Sequence, residues 1–257
     1  MKAGLNLFSL RNFVSAGEEV FTETLMKLKN MGYDYMQYSG GPIDADMLAR
    51  VSKNSGLPFV LTHAPMSDII NDTENLMEKH AKFGCKNIGL GMIPTDIIFD
   101  KEKCYDTIDK LNKAGEIMAK NGFKFCYHHH HFEFYKHDGK TVFDYMIENA
   151  PYINFTADTY WLQFGGVDIL STLEKIKGRI ECVHLKDYQI FANSQEFNGF
   201  TPRFAPVGKG NINYPAVIEK MRECGTKYFL VEQDDAPTYP DPLGQVEMSI
   251  NYLKELK

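Results

Sequence analysis

One pattern recurs eight times along the chain. A short apolar run rich in Val, Ile, Phe and Tyr is followed by a longer stretch with apolar residues at helical spacing. Strands are expected at 3–8, 33–38, 59–63, 87–90, 123–129, 153–158, 180–186 and 228–232. Helices are expected at 19–30, 44–55, 67–83, 100–121, 142–148, 168–177, 215–224 and 243–256. Glycines at 32, 56, 84, 122, 178 and 225 sit where helices should stop. Strict alternation of strand and helix implies parallel pairing through right-handed crossovers. Eight such units nearly use up 257 residues, and a closed (β/α)8 TIM barrel takes roughly 250 as one domain. The expectation is therefore a single barrel domain over 1–257. No GxGxxG follows the first strand, so an open dinucleotide-binding sheet lacks its fingerprint. The long stretch 187–212 reads as an irregular loop, and a loop of that length in a compact domain is usually functional.

Composition narrows the partners. With 44% hydrophobic and 24% charged residues the chain is globular rather than disordered. A net charge of −6 gives no electrostatic reason to expect a nucleic acid or an anionic membrane. No apolar run reaches the roughly 18 residues of a membrane helix, and the start turns polar too soon for a signal peptide. The five cysteines form no CxxC pair and sit mostly in apolar contexts. Buried free thiols in a cytoplasmic protein are expected.

The ends of the expected strands carry the chemistry. Active sites of such barrels lie at the C-terminal ends of the strands. Here those ends hold His63, the run His128-His129-His130-His131 with Glu133 beyond, Asp158, His184-Leu185-Lys186-Asp187, and Glu232. An unpaired buried charge is costly, so repeated charges after apolar runs call for a partner. Glu133, Asp158, His184 and Glu232 together supply three carboxylates and one imidazole aimed at one mouth. That mixed set suits Mn2+ above all, with Mg2+, Co2+ or Zn2+ as alternatives. Alternation places His128 and His130 on one face and His129 and His131 on the other, and the first pair is read as facing inward.

Several segments resemble the sugar phosphate isomerase/epimerase family of xylose isomerase-like TIM barrels. They are Phe125-Cys126-Tyr127-His128-His129-His130-His131-Phe132-Glu133-Phe134, Ala157-Asp158-Thr159-Tyr160-Trp161, Val183-His184-Leu185-Lys186-Asp187, Val207-Gly208-Lys209-Gly210-Asn211-Ile212 and Leu230-Val231-Glu232-Gln233-Asp234. The resemblance implies a metal at the mouth held by residues ending strands five to eight. Asp158, His184 and Glu232 match directly. Many relatives end strand five with a glutamate where this chain has His128, so either Glu133 reaches back or a histidine ligates, and Glu133 is taken as the first ligand.

The implied chemistry is proton transfer through an enediolate on a ketose, aldose or related polyol ketone. Its outcome is isomerisation or epimerisation. Dehydration of an inosose or β-elimination from a 3-keto-glycoside would use the same first step. Glu133, Glu232 and His130 are the candidate acid/base groups, and Lys186 would steady developing negative charge. His63, His128, Trp161, Asp187 and Arg203 are candidate substrate contacts. A DNA-repair activity like that of endonuclease IV is disfavoured by the acidity. A non-catalytic sugar-binding or accessory barrel is the remaining alternative. Barrels of this group often associate, so a homodimer or other oligomer is a family expectation.

Overall fold

The computed structural model describes residues 1–256. Eight parallel strands close into a barrel: β1 (Gly4–Asn6), β2 (Tyr35–Tyr38), β3 (Phe59–His63), β4 (Asn87–Leu90), β5 (Lys124–His128), β6 (Ile153–Asp158), β7 (Cys182–Leu185) and β8 (Tyr228–Val231). Each pairs with its sequence neighbours, and β1 closes the ring on β8 with Gly4 opposite Leu230. Helices surround the ring, and their starts show why they begin where they do. Asp44, Asp100, Thr141 and Asp168 each accept a backbone N–H of the following first turn.

Three expectations change. The first strand is short, because Asn6 caps a 3-10 turn, Leu7–Leu10, through the N–H of Phe8. The helix expected at 67–83 is two, Met66–Asn71 and Thr73–Lys82, since Asp72 leaves helical geometry at φ −139°. The stretch 187–212 is not irregular. It begins as an antiparallel hairpin, Asp187–Ala192 against Phe200–Ala205, in six residue pairs.

The core has two parts. The larger packs the outer faces of the strands against the helices. The smaller, containing Tyr35, Leu61, Cys126, Cys182 and Leu230, plugs the lumen. Leu61, Cys126, Cys182 and Leu230 lie two residues before His63, His128, His184 and Glu232. The period-two rule of a strand therefore stacks an apolar layer below and a titratable layer above. All five cysteines are buried and free. No helix among the described residues is long and apolar enough to cross a membrane.

Candidate metal centre

The upper lumen layer brings His128, Asp158, His184 and Glu232 together. One ligand atom from each lies within 4.8 Å of the others, and all four residues are buried. The donors come from four successive strands, and Asp158 stands in register with His184 across β6 and β7. Each imidazole is oriented from behind. His128 Nδ1 meets the Gly91 carbonyl at 3.0 Å, which leaves Nε2 3.2 Å from Asp158 Oδ2. His184 Nε2 meets Gln37 Oε1 at 2.7 Å, which turns Nδ1 toward the centre. A second-ring hydrogen bond of this kind fixes the tautomer that metal ligation needs. The carboxylates are divided in the same way. Asp158 Oδ1 accepts from the Trp161 N–H and caps the helix Thr159–Phe164, while Oδ2 faces the cluster. Asn6 donates to Glu232 Oε1 at 2.5 Å, and Oε2 faces the cluster.

Two buried atoms at the centre have no hydrogen bond. Glu232 Oε2 lies 2.9 Å from both His184 Nδ1 and Lys186 Nζ, yet neither contact has hydrogen-bond angles. His184 Nδ1 is likewise without one. Buried polar atoms that crowd one point without bonding each other are what a coordination site presents. Two carboxylates and two imidazoles suit a divalent cation, so the donor set fits one.

Lys186 shares this charge. Its ammonium is buried and lies 2.9 Å from Glu232 Oε2, 3.0 Å from Asp234 Oδ2 and 3.4 Å from Asp158 Oδ2. Burial opposes its proton, but the three carboxylates outweigh that and raise its pKa. Burial also opposes ionisation of Asp158 and Glu232, yet Lys186 and His184 hold both well below the usual carboxylate range. In His184 burial again loses to Glu232 and Asp158, which lift the imidazole to about 9.

The ligand set differs from the expected one at strand five. Glu133 is fully buried outside the cluster. Its Oε1 accepts from the Tyr127 hydroxyl and its Oε2 from the His130 N–H at 2.8 Å. Tyr127 alternates with His128 and so points out of the lumen. Glu133 follows it into the layer near Cys104, where burial pushes its carboxyl up to about 7. Both its oxygens are engaged away from the cluster, and the fourth residue of the group that could hold an ion is His128. His129 packs against Phe134 and Phe143.

A cavity of about 210 Å3 lies above the donors, and His63, His128, His130, Lys186, Glu232 and Asp234 are among its walls. Burial holds His63 and His130 neutral, the latter at about 2. Trp161 is not in that wall. It stands behind it, its ring 5.0 Å from the His130 ring and 5.2 Å from Lys186 Nζ. Asp187 is not in the cavity either. It accepts the N–H groups of Tyr188, Gly208, Gly210 and Ile212 at 2.8–3.2 Å and so ties down the segment after the hairpin. A Cβ on Gly210 would stand 2.2 Å from Asp187 Oδ1, which explains the glycine in Val207-Gly208-Lys209-Gly210. Arg203 lies on the hairpin with its guanidinium 4.1 Å over the Phe191 ring, away from the donors.

Asn6, Gln37 and Asp234 escaped the sequence reading. Asn6 and Gln37 are uncharged and stand mid-strand or at a short strand's end. Asp234 lies two residues after Glu232, and that spacing was a usable signal. Burial pushes its carboxyl up to about 6.

Comparison with known proteins agrees with this architecture. An inosose dehydratase of Geobacillus thermodenitrificans is 30% identical over 168 residues, which cover 62% of this chain and 56% of that protein. The chain thus spans little more than half the length of the curated relatives it matches. Among solved structures, a sugar phosphate isomerase/epimerase from Parabacteroides distasonis superposes with a TM-score of 0.80 at 22% identity, covering 100% of this chain and 99% of that one. A 3-keto-D-glucoside 4-epimerase from E. coli superposes with a TM-score of 0.65 at 19% identity, covering 91% and 94%. At those identities the likeness carries the fold alone. The xylose isomerase-like TIM barrel model matches residues 25–256, and the chain belongs to that family.

Proposed function

We propose that the protein is a divalent-metal-dependent isomerase or epimerase that moves a proton beside the carbonyl of a sugar or polyol ketone. The observation that carries this reading is the convergence of His128, Asp158, His184 and Glu232 beneath a small cavity that His63, His130, Lys186 and Asp234 also border. A bound cation would supply Lewis acidity toward a substrate carbonyl. Mn2+ is the favoured ion, with Co2+ and Zn2+ next. Exchanging a carboxylate for His128 weakens the case for Mg2+, which prefers oxygen donors.

The chain's own groups divide the remaining work. Glu232, Asp234 and His130 border the cavity and are the candidates to take and return a proton. Lys186 Nζ lies at the same wall, where it would steady negative charge developing on the substrate. His63, in the same wall, is the candidate contact for a hydroxyl. Return of the proton to the opposite face gives epimerisation, and return to the neighbouring carbon gives isomerisation.

A second reading, dehydration, has its own support, because the curated relatives are named inosose dehydratases. There the proton leaves and a β-hydroxyl departs with it as water. One experiment covers both. Purified protein with Mn2+ is incubated in D2O with ketoses, aldoses, inososes and 3-keto-glycosides, and products are followed by NMR. Deuterium at the α-carbon is expected, and Glu232→Gln should abolish it. An enone product assigns the lyase. Full exchange in the Glu232→Gln protein would sink its assigned role.

A further inference from the structure

Gln37 sits where two histidines meet. It is buried on β2 in register with Leu61 of β3, and His63 stands two residues further toward the mouth. Its amide makes three contacts. Oε1 lies 2.7 Å from His184 Nε2, and Nε2 lies 3.0 Å from Ser39 Oγ and 3.0 Å from His63 Nε2. We infer that Gln37 is a positioning residue that fixes the tautomer of His63, so that His63 presents an Nδ1–H donor to a carbonyl or hydroxyl oxygen of the substrate. The inference rests on the reading of the cavity as a sugar site.

The tautomer follows from counting protons. When His184 Nδ1 ligates a cation, the proton of that ring is on Nε2. This N–H needs an acceptor, and the Gln37 oxygen is the atom it meets. The amide nitrogen then faces Ser39 and His63, and a primary amide has two N–H groups to give. One goes to Ser39 Oγ and the other to His63 Nε2. An imidazole nitrogen that accepts carries no proton, so the one proton of the His63 ring is on Nδ1. The opposite amide orientation would set two donors against each other 2.7 Å apart. The tautomer that suits His184 as a ligand therefore dictates that of His63, through a single side chain.

The space around Nδ1 is a second, independent support. Nδ1 makes no hydrogen bond to a described residue, yet it is not sealed from the cavity that His63 and Gly91 both line. A Cβ on Gly91 would stand 3.2 Å from Nδ1, and one on Gly89 would stand 3.0 Å from Cδ2 of the same ring. Neither glycine has a positive φ, so room for the imidazole, rather than backbone geometry, accounts for the lack of side chains there. A donor left uncovered in this way suits an oxygen with a lone pair to give.

The test reads the tautomers directly. The full chain, 15N-labelled at histidine and loaded with diamagnetic Zn2+, is measured by long-range 1H–15N NMR. A His63→Leu sample assigns the His63 signals among the eight histidines. His63 should show a protonated Nδ1 and a bare Nε2, and His184 a protonated Nε2. Gln37→Met should release the His63 tautomer and weaken Zn2+ binding about 10–100-fold, the loss expected when the partner behind a ligand goes. His63 protonated on Nε2 in the parent overturns the inference, whether or not the variant folds. An unchanged His63 pattern in folded Gln37→Met overturns it too. On a ketone that exchanges deuterium, His63→Asn, which keeps an N–H near the Nδ1 position, should exceed His63→Leu by about tenfold, the worth of one hydrogen bond. Equal rates in the two would remove the substrate contact. A protonated Nδ1 with no exchange on any ketone keeps the role of Gln37 and removes the sugar-site reading. Protonated Nε2 with exchange intact does the reverse.

Discussion

Lys186→Met is the most informative single change. The variant keeps the length and apolar stem of the side chain and deletes the ammonium that faces Glu232, Asp234 and Asp158 at 2.9, 3.0 and 3.4 Å. Lys186, Asp158 and Glu232 are all nearly inaccessible, so solvent cannot replace the lost charge. Removing one partner of a buried ion pair costs about 3–5 kcal/mol. In a chain of this size each kcal/mol is about 2–4 °C, so the metal-free melting temperature should fall by about 6–20 °C. Lys186 and a cation face the same two oxygens, Asp158 Oδ2 and Glu232 Oε2. Deleting the lysine should therefore strengthen cation binding and enlarge its stabilisation, which at a hundredfold excess over Kd is about 2.7 kcal/mol. Thermal and urea unfolding in EDTA and in Mn2+ would be compared, with the exposed Lys209→Met as control. A metal-free variant melting within about 2 °C of the parent would refute the reasoning. So would a Mn2+ shift smaller than the parent's.

Other outcomes follow from the same structure. Asp187→Ala strands four N–H groups, each worth about 1 kcal/mol after partial rescue by water at the loop, so about 3–4 kcal/mol should be lost in urea unfolding. Hydrogen exchange should quicken at Gly208, Gly210 and Ile212; unchanged exchange there would contradict the tie. His80 is buried with Nε2 2.7 Å from Thr62 Oγ1, and burial lowers its imidazole to about 4. A depressed histidine favours the neutral folded form. Its contribution is complete above the unfolded value of about 6.5 and is lost as pH falls from there toward 4, about 3 kcal/mol in all. His80→Gln should flatten that part of the stability–pH curve, and an unaltered slope would count against it. Asp234→Asn should slow deuterium exchange at least about tenfold while leaving the Mn2+ melting shift in place.

Much of the site was legible because barrel strands make it so. Asp158, His184 and Glu232 each end an apolar run, and a charge in that position announces the mouth. The same rule reads the alternation of Tyr127 and His128. It fails at Glu133, which lies in the 3-10 turn Phe132–Phe134, where strand periodicity no longer sets direction. Asp187 misled for a different reason. It directly follows the charged end of β7, yet its carboxylate turns to backbone donors more than twenty residues away. The hairpin was hidden by its seven-residue connection, 193–199, whose turn dipeptide, Asn198-Gly199, sits against the second strand rather than between two adjacent apolar runs.

The donors have an uneven distribution around the ring. All four lie at the ends of β5–β8, while β1–β4 contribute Asn6 and Gln37 as props and His63 as cavity wall. The barrel is thus split into a half that grips and a half that shapes. A change at Met92 would remodel the cavity from this half, whereas His63 stacks 5.4 Å from the His128 ring and lies 3.0 Å from Gln37, the prop of His184. On the proposed reading, substitutions on one side of the ring tune the fit of a substrate, and those on the other also tune the hold on the cation.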